Sequence, residues 1–487
     1  MLVRTRFAPS PTGHLHIGGL RSALFSYLWA KKNNGKFFLR IEDTDRSRYV
    51  EGAVDSIKKA LLWAGLKWDD EPIFQSDRLD LYSKAAEKLL NEGKAYRCFC
   101  SEARLDRVRK LREQNKLPSG YDRKCRNLTQ EEIDEHLAHG DPYVIRLKVP
   151  LEGETICHDL IRGEIRFDNN TLEDIVLIKS DSFPTYHMAH VVDDHDMQIT
   201  HVTRGEEWIS SMPVHILLFQ ALGYEIPAFV HFPVVLGKDG KKLSKRDGAA
   251  SIIDFIEMGY LPEAVVNYLA LLGWSYDDQK QIFSMDELIQ FFDISKISKA
   301  SAVFSYEKLD WYNGYYLRQL PLDDLYQKAL PYFIKAGYVS NPPSTLEKDY
   351  ILKILPEIRE RIFKLKDIES YCKFFFHQPE IYNPDDFTDK GRDLNRAIEI
   401  LKSILPILKE TDFNIKSLED SLKIYIDKTG IKVKDCFMPI RVAVCGSKYS
   451  PGLFETLSIL GKEESLKRIE NAIKYLSSSQ LNMDTTV

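Results

Sequence analysis

Leu2 to Ala8 reads as a strand that runs without a linker into the turn Pro9-Ser10-Pro11-Thr12-Gly13. Beyond it, Leu20, Ala23, Leu24, Tyr27 and Leu28 recur at helical spacing and form the apolar stripe of an amphipathic helix. Asn33-Asn34-Gly35 supplies a left-handed stop. Lys36 to Glu42 sets Phe37, Leu39 and Ile41 on one face as a second strand, and Val54, Ile57, Leu61 and Leu62 mark the next helix. Strand, helix, strand, helix is the opening of a parallel α/β sheet. Such a sheet binds its ligand where a strand turns into a helix. The first crossing carries Gly13, Gly18 and Gly19, which let backbone approach phosphates, and His16, whose ring nitrogen can donate to them. No Walker A sequence and no GxGxxG is present, which excludes the P-loop and dinucleotide readings. Taken alone, the segment is equally a tight turn over a satisfied histidine.

A second feature changes that balance. Lys242-Leu243-Ser244-Lys245-Arg246 is a compact cationic loop, with Gly237 and Gly240 before it and Gly248 after it to let it move. Lys242 and Lys245 can close over a triphosphate, and adenylyl transfer depends chiefly on positioning and electrostatic stabilisation of phosphate oxygens. Arg6 and Ser10 flank the first turn, Glu42 ends the second strand, and Tyr186, Arg204 and Trp208 come later. All lie at or near the ends of predicted parallel strands, where an α/β site forms. A single arginine or glutamate there would be a surface ion pair of little worth.

The 487 residues are too many for one core and predict three or more domains. Between about residues 95 and 185, short alternating strands (Tyr143 to Val149, Glu164 to Phe167, Ile175 to Lys179) surround a cysteine cluster and read as an insertion. Parallel character returns with strands Met188 to Asp193 and Ile199 to Arg204, then the helix Pro213 to Leu222. Helices follow at Ile252 to Met258, Pro262 to Leu272, Met285 to Phe292 and Tyr306 to Leu317. From about residue 320 the chain reads as helical throughout, with amphipathic segments Leu346 to Phe363, Asp393 to Leu408 and Phe454 to Leu476.

Hydrophobic content of 44% and charged content of 29% describe an ordinary soluble globular chain. No apolar run approaches the roughly 20 residues a membrane span needs. The first motif begins within ten residues of the start, leaving no room for a leader, so a cytoplasmic location is expected. Net charge is −5, yet Ser101 to Arg126 concentrates Arg104, Arg107, Arg109, Lys110, Arg112, Lys116, Arg123, Lys124 and Arg126 against only four acids. Such a local face can bind nucleic acid whatever the global charge, although a lone charge run is more often a solvated helix face. Cys98, Cys100 and Cys125 cluster, while the other four of seven cysteines are scattered, which points to metal rather than disulfides.

Together, Pro9-Ser10-Pro11-Thr12-Gly13-His14-Leu15-His16-Ile17-Gly18-Gly19 and Lys242-Leu243-Ser244-Lys245-Arg246 resemble the HIGH and KMSKS signatures of class I aminoacyl-tRNA synthetases. The first motif, followed by Arg40-Ile41-Glu42-Asp43-Thr44-Asp45, resembles the bacterial glutamyl-tRNA synthetases over almost the whole chain. Gly19 stands where the second histidine of HIGH would be, as is usual in glutamyl enzymes, and Arg246 replaces the final serine of KMSKS. The resemblance implies a multidomain α/β protein. A Rossmann-type parallel-sheet catalytic domain would occupy 1–95 and 186–245, with an inserted α+β acceptor-end-binding domain at 96–185. A helical stem-contact domain at 246–318 and an all-α anticodon-binding region at 319–487 would follow.

The implied activity is glutamate–tRNA ligation: ATP and L-glutamate give glutamyl-adenylate, which then acylates the terminal adenosine of tRNA(Glu). The implied catalytic residues are His16 and Lys245. Free glutamate presents one ammonium and two carboxylates, which calls for an acid and at least two cations or strong donors desolvated together. By resemblance, Arg6 grips the side-chain carboxylate, Glu42 the α-ammonium and Arg204 the amino acid's carboxylate, with Ala8, Ser10 and Tyr186 lining the pocket. ATP would meet Gly13, His16, Gly18, Gly19, Glu207, Trp208, Lys242, Ser244 and Lys245, with Mg2+ on the nucleotide. Cys98, Cys100, Tyr121 and Cys125 match the Cys-x-Cys…Tyr-x-x-x-Cys arrangement of the related glutamyl-queuosine enzymes and imply structural Zn2+; reduced thiols without metal are the alternative. Some bacterial relatives use a histidine where this chain has Asn127. A monomer is implied, with tRNA(Gln) as a further acceptor left open. Against glutaminyl-tRNA synthetase stand Pro-Thr-Gly in place of Pro-Asn-Gly and a strand-poor C-terminal half in place of β-barrels. The truncated tRNA-modifying relative lacks an anticodon-binding half, and the chain length of 487 residues argues against it; an idle tRNA-binding paralogue and an HxGH nucleotidyltransferase are the remaining rivals. Intact His16, Glu42, Arg204 and Lys245 oppose the first, and the long helical half opposes the second.

Overall fold

The computed structural model describes residues 2–116, 120–243, 251–387 and 394–484. They form two compact units, Met1–Ile256 with Pro262–Leu309, and Glu257–Leu261 with Asp310–Val487.

In the first unit, β1 (Arg4–Phe7) crosses through α1 (Ile17–Lys32) to the parallel strand β2 (Lys36–Ile41), with Arg6 opposite Phe38. Helix α1 stops where expected, because Asn34 takes φ +50°. The next residue must be glycine: a Cβ on Gly35 would lie 2.1 Å from the Val3 carbonyl oxygen. Helix α2 (Ala53–Trp63) leads to β3 (Ile73–Phe74), parallel to β2. Helix α3 (Leu79–Asn91), β4 (Ala95–Cys98), α4 (Glu102–Gln114), α5 (Gln130–Ala138), β5 (Val144–Leu147), β6 (Glu154–Asp159), β7 (Gly163–Asp168) and β8 (Val176–Ile178) come next. The parallel pattern resumes with α6 (Tyr186–Asp196), β9 (His201–Gly205), α7 (Met212–Leu222) and β10 (Ala228–Phe232).

Strands β9 and β10 pair in parallel with Arg204 opposite His231, and β10 takes β6 on its other side. The Thr200 amide donates to the Arg4 carbonyl at 3.0 Å, which brings this second set alongside β1. The chain therefore leaves β1 toward β2 on one side and returns on the other. That reversal opens a crevice at the strands' carboxyl ends. Helices α3, α6 and α7 bury Leu89, Val191, Leu218 and Phe219 in a shared core that holds the strands in place.

Two expectations are corrected here. The run Met188 to Asp193, read as a strand, is the interior of α6. It is buried on every side, so its apolar stretch lacks the alternation that would separate strand from helix. Of the strands expected around the cysteine cluster, β5 pairs with β4 and β8 with β5, but β7 pairs with β6 and so joins the sheet of β9 and β10.

After β11 (Val235–Leu236), the first unit adds α8 (Ile252–Met258), α9 (Pro262–Ala270), α10 (Met285–Phe291), β12 (Ala302–Val303) beside β11, and the start of α11 (Tyr306–Gln319). Among the described residues no strand follows Val303. The second unit includes α12 (Leu322–Lys335), α13 (Thr345–Ile358), α14 (Leu394–Glu410), α15 (Ile415–Thr429), α16 (Val433–Cys445), α17 (Leu453–Leu460) and α18 (Lys462–Asp484), with single-turn helices such as Ile368–Tyr371 and Pro384–Phe387 between α13 and α14. The span Phe454 to Leu476, read as one helix, is two: Gly461 takes φ +78° and ends α17. Among the described residues no helix is long and apolar enough to cross a membrane.

Candidate active site

The turn after β1 is tied to the end of β2 by the Glu42 amide, which donates to the Pro9 carbonyl at 3.0 Å. Gly13 there adopts φ +150°, a conformation that favours glycine. His16 caps α1: its Nδ1 accepts the Gly19 amide at 3.2 Å. With Nδ1 occupied as an acceptor, the neutral ring carries its proton on Nε2. The turn, the ends of β2 and β9, and the start of α6 enclose a cleft of about 430 Å³. Its lining includes Arg6, Ala8, Ser10, Gly13, His16, Gly18, Gly19, Glu42, Tyr186, Arg204, Glu207, Trp208 and Lys242. The sequence-predicted residues are thus brought together, except Ser244 and Lys245, which lie outside the described residues. The Lys242 ammonium pairs with Glu207 at 2.8 Å, and both residues line the cleft.

Beneath the cleft lies a buried ion network. Arg6 meets Asp194 through Nε at 2.9 Å and Nη2 at 3.2 Å, and its Nη1 donates to the Thr203 carbonyl at 3.1 Å. Arg40 donates to Asp194 at 2.6 Å and to Glu42 at 3.1 Å. Asp193 takes Arg78 at 2.8 Å, Gln75 at 2.8 Å and the Tyr82 hydroxyl at 2.9 Å. Burial pushes the Glu42 carboxyl up, against the pull of Arg40 and Arg6. For Asp194 burial also acts upward, but Arg6 and Arg40 overcome it and hold the carboxyl below its usual value.

Arg204 differs from Arg6, Arg40 and Arg78. It is 7% exposed, and its partners are all neutral. Nε donates to His231 Nε2 at 2.9 Å, Nη1 to the Tyr186 hydroxyl at 3.1 Å, and Nη2 to the Trp208 carbonyl at 3.2 Å. His215 Nδ1 lies 3.2 Å from Nη1 and therefore accepts, while its Nε2 contacts His187 Nδ1 at 2.9 Å. Burial lowers the pKa of His215 and His187, the latter to about 4, so both are neutral. Arg6, Arg40 and Arg78 thus face the buried carboxylates Glu42, Asp193 and Asp194, with the exposed Asp196 adding a solvent-screened contact to Arg78. Among the described residues Arg204 is hydrogen-bonded to no carboxylate, and Asp194 acts on it only through space. An isolated buried charge is costly, so the site is poised for an anion.

Sequence reasoning missed Asp194, His215, His231 and Asp159, which act from positions remote in sequence. It also missed Arg21, a buried cleft-lining side chain that donates to the carbonyls of Leu272 and Pro233 and that burial lowers to about 10. Its place next to the apolar stripe of α1 is the signal that would have found it.

The network predicts a stability effect. Asp194→Asn leaves two buried guanidinium groups short of their partner and should cost about 3–5 kcal/mol at neutral pH. Because Asp194 is depressed in the folded state, its contribution is full above the unfolded carboxylate pKa of about 3.9. It fades as pH falls through the lower folded value. Denaturant melts of both proteins should therefore converge in acid; a constant gap would contradict this.

A second constellation sits at the end of β4. The sulfurs of Cys98, Cys100 and Cys125 lie within 4.8 Å of one another. The Tyr121 hydroxyl is 3.2 Å from Cys98 Sγ and 3.5 Å from Cys100 Sγ. Hydrogen bonds from Cys125 and Tyr121 hold the Cys98 thiol below its usual value, against burial. Arg146 covers the Tyr121 ring at 4.0 Å, and Arg104 Nη1 is 3.3 Å from Cys100 Sγ. Three soft donors and a phenol at these separations suit a tetrahedral metal site, whereas Asn127 is exposed. The basic run divides. Arg123 and Arg126 reach buried Asp174 at 3.6 Å and 2.7 Å and are structural, while Arg107 and Lys110 are exposed on α4, which buries no residue.

The family model described as tRNA synthetases class I (E and Q), catalytic domain, matches residues 2–311, and the one described as anticodon binding domain matches 324–473. The glutamate–tRNA ligase of Borreliella afzelii is 46% identical over 98% of this chain and 99% of its own length. That of Dehalococcoides mccartyi strain 195 is 46% identical over 98% of both chains. The crystal structure of a glutamate tRNA ligase from Elizabethkingia meningosepticum, in complex with its amino acid, superposes with a TM-score of 0.88 at 38% identity, over 98% of this chain and 100% of that one. A class I catalytic domain on a parallel sheet, a helical anticodon-binding region and near-full-length identity together place this chain in the glutamate–tRNA ligase family of class I aminoacyl-tRNA synthetases.

Proposed function

We propose that the protein activates L-glutamate with ATP and transfers it to the terminal adenosine of tRNA(Glu), acting as a cytoplasmic monomer. The observation that carries this reading is the chemistry of the cleft lining: a buried guanidinium hydrogen-bonded to no carboxylate, Arg204, and a buried carboxyl, Glu42. Glutamate carries two carboxylates and one ammonium, a net charge that offsets Arg204. Arg6 receives the side-chain carboxylate, Glu42 the α-ammonium and Arg204 the amino acid's carboxylate, with Ala8, Ser10 and Tyr186 shaping the walls.

In the first step an oxygen of the α-carboxylate attacks the α-phosphorus of Mg-ATP. The new O–P bond forms as pyrophosphate leaves, giving glutamyl-adenylate. His16 Nε2–H, Lys242 and Lys245 meet the charge on phosphate oxygens, while Gly13, Gly18 and Gly19 admit the nucleotide beside Glu207, Trp208 and Ser244. In the second step a ribose hydroxyl of the terminal adenosine attacks the activated carbonyl and AMP departs. No covalent enzyme intermediate is required. Segment 96–185 holds the acceptor end, 246–318 contacts the stem and 319–487 reads the anticodon, where unstacked bases are accessible.

Cys98, Cys100, Tyr121 and Cys125 would hold Zn2+, cross-linking β4 to the segment after α4. Purified protein should contain about one zinc per chain, and Cys125→Ser should remove it; metal-free wild-type protein would refute the assignment. Exposed Arg107 and Lys110 on α4 contribute to the RNA face. Binding of tRNA should weaken steeply with salt, and replacing both residues with glutamine should reduce the log–log slope by roughly one per contact. An unchanged slope would remove α4 from that face.

The activity is tested by isotope exchange between pyrophosphate and ATP in the presence of tRNA(Glu). Exchange that requires glutamate supports the reading; exchange driven equally by glutamine would overturn the amino-acid assignment.

A further inference from the structure

We propose that Asp159 and His231 are positioning residues of the amino-acid site, orienting Arg204 while leaving its positive charge to the ligand. The inference rests on the reading that Arg204 receives a carboxylate of glutamate. Arg204 on β9 and His231 on β10 are register partners in parallel strands. Arg204 Nε donates to His231 Nε2 at 2.9 Å. A guanidinium can only donate, so Nε2 supplies a lone pair and the imidazole proton sits on Nδ1. That proton is directed at Asp159 Oδ2, 2.8 Å away.

Asp159, 3% exposed at the end of β6, is itself immobilised. Its Oδ2 also accepts the His231 amide at 2.9 Å, and its Oδ1 accepts the amides of Ile161 at 2.9 Å and Arg162 at 2.8 Å. The carboxylate fixes the tautomer and the ring, and the ring fixes the guanidinium. The same arrangement orients metal-binding and catalytic histidines elsewhere. A carboxylate set directly against Arg204 would take up guanidinium donors that a ligand carboxylate needs. The interposed neutral imidazole holds Arg204 in place without that competition. It also makes the turn between β6 and β7 part of the amino-acid site, although no residue of that turn lines the cleft.

The test compares His231→Phe, His231→Gln and Arg204→Gln in aminoacylation, with KM determined separately for glutamate and ATP. Thermal unfolding monitors the fold. Phenylalanine keeps the ring but removes the acceptor, and should raise the glutamate KM about tenfold or more with the ATP KM within about twofold. Glutamine can accept from Arg204 and donate to Asp159, and should recover glutamate KM to within about threefold of wild type. A uniform loss in all parameters, or Phe and Gln variants that behave alike, would overturn the proposal. Should His231→Phe fail to fold, His231→Asn, too short to bridge both partners, replaces it with the same expectation. Nitrogen NMR of histidine-labelled wild-type protein should find His231 protonated on Nδ1 and bare at Nε2 at neutral pH; the opposite tautomer would overturn it. If Arg204→Gln raises the glutamate KM and His231→Phe does not, the positioning role alone falls. If Arg204→Gln leaves that KM unchanged, the underlying reading of the site falls.

Discussion

Replacing Arg204 with glutamine is expected to raise the KM for glutamate by about a hundredfold or more, a loss of the order of 3 kcal/mol. The magnitude follows from burial. Arg204 is held in a fixed orientation by His231, Tyr186 and the Trp208 carbonyl, and none of these neutralises it. A ligand carboxylate therefore meets a preorganised, desolvated cation, where charge-assisted hydrogen bonds are strongest. Removing the cation leaves the ligand carboxylate buried without its partner. Arg204→Lys should recover little, because a point charge on a flexible stem cannot reproduce the planar fork. The ATP KM should stay within about twofold. Protein stability should hold or rise, since an uncompensated buried charge is removed from the unliganded fold. Equal weakening of glutamate and ATP would mean that Arg204 supports the whole cleft rather than one ligand.

His16→Ala is expected to lower kcat by about 10²–10³ with substrate KM values little changed, the signature of an interaction made in the transition state. His16 also caps α1, so alanine should cost about 1 kcal/mol of stability by a separate route. The two roles separate in His16→Asn, which restores a capping acceptor but removes the Nε2 donor. That variant should melt like wild type and still lose the rate. A variant that regains activity together with the cap would reduce His16 to a structural role. Lys245→Ala should show a comparable rate loss, because it removes the second cation assigned to the phosphates.

The parts of the site legible in the sequence are those built by local chemistry. The glycines and prolines of the first turn, His16 at the start of α1, and Glu42 just past β2 follow from strand and helix periodicity and from turn residues within a few positions of one another. The cysteine pair at the end of β4 is legible for the same reason. What could not be read depends on distant pairings. Asp194 answers Arg6 across 188 positions, and Asp159 answers His231 across 72. No local pattern announces either. Helix α6 was misread in part for a related reason: its Met188 to Asp193 interior is buried on all sides and carries Asp193 and Asp194 inward to serve arginines from other elements. Strand β7 reads as one of the insertion's own strands, and its partner β6 is not anticipated, because alternation sets a strand's faces but not its neighbours. In the helical half, amphipathic spacing located the segments, but one conformational stop at Gly461 was needed to divide α17 from α18.

The most direct measurement is aminoacylation of purified tRNA(Glu) and tRNA(Gln) with labelled glutamate and, separately, labelled glutamine. Glutamate should be charged onto tRNA(Glu), and charging should be lost in His16→Ala and Arg204→Gln. Glutamate on both tRNAs would extend the acceptor range without changing the chemistry. Glutamine charging, or tight tRNA binding with neither amino acid transferred, would contradict the assignment of this cleft as a glutamate-activating site.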